Sequence, residues 1–289
     1  MIAILDYEFM RRALIAALMT GLTAPAIGTF LVQRRLALLG DGIGHIALTG
    51  VALGMLTGVA PIMTATLVAA AGAILIEILR TYTRTSGDVA LAMLFYGGIA
   101  GGVLLTNLAG ESAASLNSYL FGSITTMTPT DLRVVVILAA IVLIVAVGLS
   151  PQLFAVCQDE EHARVSGVPV RFYSILIAVL AAVTITVAMR TVGLLLVSAL
   201  MVVPVATAQQ FAGRFRTTHV ASIVIGLAAA VFGVLASYQI DTQPGPTIVL
   251  IAMGVFALVA VAAIARRAIV ARARTGPAAT SPRAGVENS

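Results

Sequence analysis

Asp41 and His45 are the residues whose types and spacing best fit a chemical role in this chain. They stand four residues apart in the run Gly-Asp-Gly-Ile-Gly-His, at the head of a segment that otherwise reads as membrane-spanning helix. Residues i and i+4 share one face of a helix, so an oxygen and a nitrogen would face the same ion. Ionisable groups in a bilayer cost about 2.5–3.5 kcal/mol each on insertion scales and usually serve a function. The pair therefore indicates transition-metal handling.

A structural explanation of the pair stays open beside the metal hypothesis. Arg34 and Arg35 lie just upstream, so Asp41 and His45 could simply mark the cytoplasmic end of a helix, with His45 bonded to a carbonyl. One aspartate and one histidine are too few for tight binding, but a dimer that met at this helix would supply two of each. Such a four-ligand site suits zinc or manganese. A transport site must also release its ion, so sparse ligation is no objection.

The composition excludes every soluble globular class. Hydrophobic residues make up 60% of the 289 residues and charged residues only 10%, with a mean hydropathy of +1.07, which indicates a polytopic membrane protein. All 17 basic residues are arginine, and the absence of lysine excludes a P-loop and Schiff-base chemistry. If ATP drives this protein, another chain must bind it. The arginines lie in pairs beside apolar segments, not on one basic face, so no nucleic-acid partner is expected.

The apolar segments predict an all-α bundle. About 20 apolar residues are needed for each crossing, and nine candidate spans satisfy this, with eight or ten also possible: 13–33, 42–59, 62–79, 88–109, 131–149, 171–189, 191–211, 218–237 and 245–265. The arginine-rich loops then fall on one side, which the positive-inside rule makes cytoplasmic. We expect one transmembrane domain over residues 1–274 and a disordered cytoplasmic tail over 275–289. Within the spans, Glu77 and Asp131 have ordinary snorkelling and capping explanations.

A charged segment interrupts the apolar spans between residues 158 and 169. Its acidic start and its Gly167 and Pro169 are typical start and stop signals of one short helix. A solvated loop is the usual explanation of such a charge cluster. Its few apolar residues, among them Ala163, instead suit a surface that docks into the groove of a partner.

Five stretches of the chain together resemble one family, the membrane permeases of bacterial ABC importers for zinc, manganese and related metal ions. The resemblance covers about residues 10 to 265, and its first and fourth stretches are the most specific. The stretches are Gln33 to His45, Tyr119 to Ser123, Asp159 to Val168, Val192 to Ala208 and Asp241 to Pro246. Two residues depart from the family pattern, His162 in the third stretch and Val205 after Pro204.

The resemblance implies a multi-pass permease of the inner membrane that works by alternating access and is not itself an enzyme. Its partners would be a peripheral ATP-binding subunit, an extracytoplasmic metal-binding protein and a second copy of the chain. No cofactor would be bound permanently, and zinc would be the first candidate ion and manganese the next. Asp41 and His45 would contact the metal. The segment that couples to the ATPase would include Asp159, Glu160, Glu161, Ala163 and Gly167.

Two other function classes are weaker. An ATP-independent secondary transporter or channel predicts matching broken helices in two halves of the chain, and residues 1–130 and 131–265 show no convincing repeat. It also leaves residues 158–169 without a role. A membrane-embedded metalloprotease would need a His-Glu-x-x-His motif or an equivalent ligand set, which the sequence lacks.

Overall fold

The fold is an all-α membrane bundle, as the sequence predicts. A computed structural model describes residues 7–82, 87–110, 113–123 and 127–274, and the predicted disordered tail lies outside these ranges. The described residues contain no strand. Their helices are α1 (Glu8–Gln33), α2 (Leu39–Thr57), α3 (Pro61–Tyr82), α4 (Gly87–Leu108), α5 (Ala113–Phe121), α6 (Pro129–Gly148), α7 (Ser150–Gln158), α8 (Glu160–Val165), α9 (Val170–Ala188), α10 (Val197–Gln209), α11 (Phe215–Ile240) and α12 (Pro244–Arg274).

Eight of these helices are long and apolar enough to cross a membrane, which lies within the predicted range of eight to ten. They are α1, α2, α3, α4, α6, α9, α11 and α12. Most of α1 and α2 is buried among other helices, whereas only a small part of α4 and of α12 is buried. Because they are mostly buried, α1 and α2 form the centre of the bundle. The exposed apolar surface of the outer helices faces lipid or another membrane protein.

The predicted span 191–211 is built differently from the others. Its helix, α10, has 13 residues, about 20 Å at 1.5 Å per residue, which is less than the hydrocarbon thickness of about 30 Å. The preceding residues 189–196 form turns instead of helix. Gly193 has a φ of +88°, which residues with a Cβ rarely adopt, and it interrupts the helix that the hydropathy suggests.

The turns before α10 pair with the end of α5 through backbone hydrogen bonds. Ser123 donates to the carbonyl of Arg190, and Leu194 donates to the carbonyl of Tyr119, with N···O distances of 3.0 Å for both. The pairing is antiparallel, and we call residues 119–123 and 190–195 the backbone seam. Backbone polar groups without partners are costly in a membrane interior. The pairing explains how a non-helical segment is accommodated inside this bundle.

Contacts without side chains hold α1 against α10. A Cβ built on Gly28 would lie 1.9 Å from the carbonyl oxygen of Met201, so the two backbones touch directly. Close approach at small residues is the usual basis of helix association in membranes, where burial of apolar surface provides little driving force. Gly28 therefore fixes the distance between the two helices.

Replacing Gly28 with alanine should destabilise the bundle. The added methyl group meets backbone that cannot rotate away, and overpacking of this kind costs about 1–3 kcal/mol. Thermal unfolding of the purified protein in detergent measures the effect. Gly254→Ala in α12 is the matched control, because a Cβ there meets no atom within 4 Å. Equal melting temperatures for the two variants would contradict the close contact.

Candidate functional site

Asp41 and His45 lie on the one open stripe of α2. Both are partly exposed, as is Thr49 one turn further along, while nearly all the residues between them are buried. The spacing of four residues places all three on one face of the helix. The predicted shared face of the carboxylate and the imidazole is therefore present, and it is accessible.

The site lies deeper than the cytoplasmic end of α1. Gly40 packs on Ser198 and Gly28 packs on Met201, one turn later in α10. At about 1.5 Å per residue, these contacts place the start of α2 about 12 Å inside the cytoplasmic end of α1. The turn over residues 34–38 therefore leads back into the bundle, and Asp41 does not mark a helix end at the membrane surface.

The aromatic ring of Phe95, from α4, covers one side of His45. The two rings are 4.2 Å apart in an edge-on arrangement with an interplanar angle of 70°. Behind them, a Cβ on Gly98 would lie 2.6 Å from the backbone of His45, and Thr49 donates a hydrogen bond of 2.8 Å to the carbonyl of Gly98. These contacts from α4 fix the position of the His45 backbone.

A small cavity of about 210 Å³ opens beside Asp41. Its walls are apolar and aromatic apart from the carboxylate, and its lining is Leu38, Asp41, Leu91, Ala92, Phe95 and Tyr96. Within the described part of the chain, no group of three or more histidine, cysteine, aspartate or glutamate residues could hold a metal ion. Among the described residues, Asp41 and His45 are therefore the candidate ligands at this position, and their role in metal contact stays a prediction.

The charged segment folds as the short helix α8, between α7 and α9. Asp159 caps its start by accepting hydrogen bonds from the backbone N–H groups of Glu161 and His162, at 2.9 and 3.0 Å. Ala163 is buried against Val156 and Val170. The predicted stop is also present, because Gly167 has a φ of +82°.

One face of α8 remains open. Val165 is 89% exposed, and the side chains of Glu161 and His162 are exposed as well. A short helix with a buried side and a partly apolar open side suits a docking surface. The solvated-loop alternative does not explain the exposed valine.

The snorkelling explanation of Glu77 is wrong. Glu77 is 5% exposed, and its carboxylate lies 3.8 Å from a guanidinium nitrogen of Arg34 and 3.3 Å from one of Arg80. Arg34 also forms an ion pair with Glu160 of α8. The sequence gives no sign of this cluster, because its members come from three separate parts of the chain.

The sequence likewise gives no sign of a second buried ion pair. Arg190 is 7% exposed, and its guanidinium lies 2.8 Å from the carboxylate of Asp131 and 4.6 Å above the ring of Tyr119. Asp131 also forms the predicted helix cap, in a reciprocal capping box with Thr128. The pair lies next to the backbone seam and ties α6 to it.

The lone cysteine is not a reactive group. Burial raises the pKa of the Cys157 thiol to about 12, so the thiolate that nucleophilic attack or metal binding requires is scarce at neutral pH.

The turn over residues 241–246 lines an open polar cavity of about 760 Å³ at the end of the bundle opposite α8. Eight of its twelve lining residues carry a hydroxyl or amide group, and Asp241 adds a carboxylate. Gly122 and Ser123 of the backbone seam form part of the same lining. The cavity therefore ends at the seam.

Comparison with known proteins identifies the class to which this fold and site belong. The chain is a membrane permease of the ABC type, because a family model for the ABC 3 transport family matches residues 6–263. The chain belongs to this family, which confirms the resemblance seen in the sequence. Together with the eight apolar helices, this places it as a multi-pass protein of the bacterial inner membrane.

Individual relatives match over most of their length. The manganese import system permease protein ScaB of Streptococcus gordonii is 30% identical over 251 residues, which cover 87% of this chain and 90% of that protein. The high-affinity zinc uptake system membrane protein ZnuB of Haemophilus influenzae is 29% identical over 252 residues, 87% and 97% of the two chains. PsaBC of Streptococcus pneumoniae, solved in complex with a Fab, is similar in structure with a TM-score of 0.82 and 31% identity, covering 89% of this chain and 93% of that chain.

The close contact between α4 and His45 gives a test of the site geometry. In Gly98→Ala the new methyl group would press on the backbone of His45 and force α4 away from α2, because neither backbone can give way. We expect metal uptake to fall by about tenfold, since a misplacement of about 1 Å at a reacting centre can cost 100-fold. Gly97→Ala, at the adjacent residue, is the control, because its Cβ meets nothing within 4 Å. Equal uptake by both variants would show that this contact does not position the site.

Proposed function

We propose that this chain is the permease subunit of an ABC importer that carries a divalent metal ion across the inner membrane, with ATP hydrolysed on a separate chain. The observation that carries the proposal is the placement of Asp41 and His45 on the one open stripe of an otherwise buried helix. Ionisable groups at such depth are costly and usually serve transport or catalysis.

The chemistry of the pair supports zinc or manganese as the ion. Imidazole and carboxylate are ligands for both. ScaB carries manganese in its name and ZnuB carries zinc, at nearly equal identity to this chain, so sequence similarity favours neither ion.

A second copy of the chain would complete the metal site. One copy supplies one oxygen and one nitrogen ligand, whereas zinc sites commonly have four ligands. The neighbouring surface of α4 is apolar and uncovered, with Met93 67% and Tyr96 69% exposed. Two copies related by twofold symmetry around this surface would bring two Asp41 and two His45 residues together. We therefore propose a homodimer.

The energy source is the second partner. The chain has no lysine and so no P-loop of its own, and α8 presents an open face between two membrane spans. We assign α8 as the helix that docks on a peripheral ATP-binding subunit. The start, the buried side and the end of this docking segment are formed by Asp159, Glu160, Glu161, Ala163 and Gly167.

The polar cavity at the opposite end suits ion entry. Its hydroxyl, amide and carboxylate groups offer oxygen atoms that can contact a hydrated divalent cation. An extracytoplasmic metal-binding protein would release its ion here, above the backbone seam. The seam then separates this entrance from the Asp41 and His45 site, and its opening and closing would provide alternating access.

The proposal is tested by measuring the uptake of zinc and manganese, in competition, into vesicles that contain this chain with its ATPase and binding protein. The same measurement identifies the transported ion. Asp41→Asn and His45→Gln should each lower uptake by about 10- to 100-fold, because changes even to the outer-shell partners of metal ligands have effects of this size. Thr57→Val, near the end of the same helix, is the control, because its hydroxyl bonds only the backbone of its own helix and is no metal ligand. Uptake without the ATPase would favour a secondary transporter, and uptake indifferent to both substitutions would refute the site.

A single surface charge tests the docking role of α8. Val165→Asp places a carboxylate in an exposed apolar position, where it costs no core packing but would have to be desolvated in an interface. We expect the ATP-binding subunit to be lost from the complex during co-purification, with membrane insertion unaffected. Val59→Asp is the control, since Val59 is also exposed but lies at the opposite end of the bundle. Undiminished co-purification of Val165→Asp would exclude α8 as the docking helix.

A further inference from the structure

Four charged side chains from three elements meet where α1 ends. Arg34 pairs with Glu77 of α3 and with Glu160 of α8, and Arg80 approaches the same two carboxylates at 3.3 and 3.7 Å. The side chains of Arg34 and Glu77 are only 4% and 6% exposed, whereas Glu160 is 45% exposed. The cluster therefore extends from the buried end of α1 to the surface of α8.

Stability alone does not account for this arrangement. Removing two charges from water costs several kcal/mol per ion, and well-packed apolar residues often stabilise such a position equally well or better. In some proteins, buried ionic groups are retained because they select one arrangement of two elements over another. Here the two elements are α1 and α8.

The cluster supplies a polar connection from α8 to the centre of the bundle. The apolar side of α8, through Ala163, packs in a small group with Val156 and Val170 that is separate from the main core. Arg34 with Glu160, and the neighbouring hydrogen bond of 2.9 Å from Gln33 to Gln158, join this region to the end of α1.

From Arg34 the chain leads to the metal site within seven residues. Arg34 is the C-cap of α1 and Arg35 has a φ of +59°, so the chain reverses there, and the N–H of Leu36 donates to the carbonyl of Leu31 at 2.9 Å. The first turn of α2, which contains Asp41, follows directly. A displacement of Arg34 therefore acts on the start of α2 through a short, hydrogen-bonded turn.

We propose that Arg34 is a positioning residue that transmits movement of α8 to Asp41. When the ATP-binding subunits close, α8 moves with them, and the ion pair from Glu160 to Arg34 draws the turn over residues 34–38 with it. The start of α2 then shifts against α10, which changes access to the Asp41 and His45 pair. This inference rests on the proposed docking of α8 to an ATPase.

The number of metal ions taken up per ATP hydrolysed, in vesicles with the complete importer, tests the inference. Arg34→Gln removes the charge, while Arg80 continues to pair with Glu77. We expect the ATPase to co-purify and hydrolyse ATP as before, and the ratio to fall by about tenfold, a typical size for coupling between two sites. Arg35→Gln is the matched control, because it removes the same charge at the next residue, which is exposed. A ratio unchanged in Arg34→Gln would overturn the inference.

A double-mutant cycle distinguishes transmission from a general structural effect. Glu160→Gln should lower the same ratio, and the double variant Arg34→Gln with Glu160→Gln should be no worse than either single variant, because all three break one connection. Additive losses would mean that the two residues act separately, which contradicts the inference. If Arg34→Gln fails to fold, Arg34→Lys takes its place. A lysine ammonium lacks the fork that bridges two carboxylates, so the ratio should fall about threefold, and an unchanged ratio would again overturn the inference.

The same measurement separates this inference from the proposed function. Wild-type uptake that ignored ATP would contradict both. A normal wild-type ratio that Arg34→Gln left unchanged would contradict only the role of Arg34.

Discussion

Close backbone contact around α2 is the constraint on which the rest of the structure depends. Inside a bilayer, the burial of apolar surface provides little driving force for helix association. Close packing at small residues must provide it instead. Glycines provide this contact on several sides of α2. Gly40 and Gly44 meet residues 194–198, Gly50 meets α3, and Gly98 of α4 meets His45. Because neighbours surround the helix so closely, the single stripe that they leave open is where Asp41 and His45 can meet an ion.

The two ends of the molecule solve different electrostatic problems. At the end near α8, buried carboxylates and arginines form a cluster that reaches the surface. At the other end, Arg190 and Asp131 neutralise each other beside the backbone seam, where an unpaired charge would be far more costly. Asp41 and His45 lie between these two arrangements. At one end, therefore, charged side chains link the end of α1 to α8. At the other end, they link the backbone seam to α6.

The sequence predicted the helices, the shared helix face of Asp41 and His45 and the short helix α8, because these depend on local periodicity, spacing and capping. Prediction was less successful where tertiary contacts decide. Residues 189–196 are apolar enough to read as helix, yet they pair with residues 119–123, about 70 positions earlier in the chain. Likewise, Glu77 shows nothing in its own neighbourhood that identifies Arg34 and Glu160 as its surroundings. The depth of Asp41 depends on contacts of Gly28 and Gly40 with α10, which no local pattern reveals.

The backbone seam also limits how this protein can evolve. A Cβ on Gly122, Gly193 or Gly245 would lie within 2.6 Å of backbone atoms in the facing segment, and every amino acid other than glycine carries one. Replacement of any one of these glycines would therefore require the whole facing segment to move. The exposed face of α12, by contrast, accepts many apolar side chains. Amino-acid substitutions should therefore accumulate on the outer helices, while the three glycines stay unchanged.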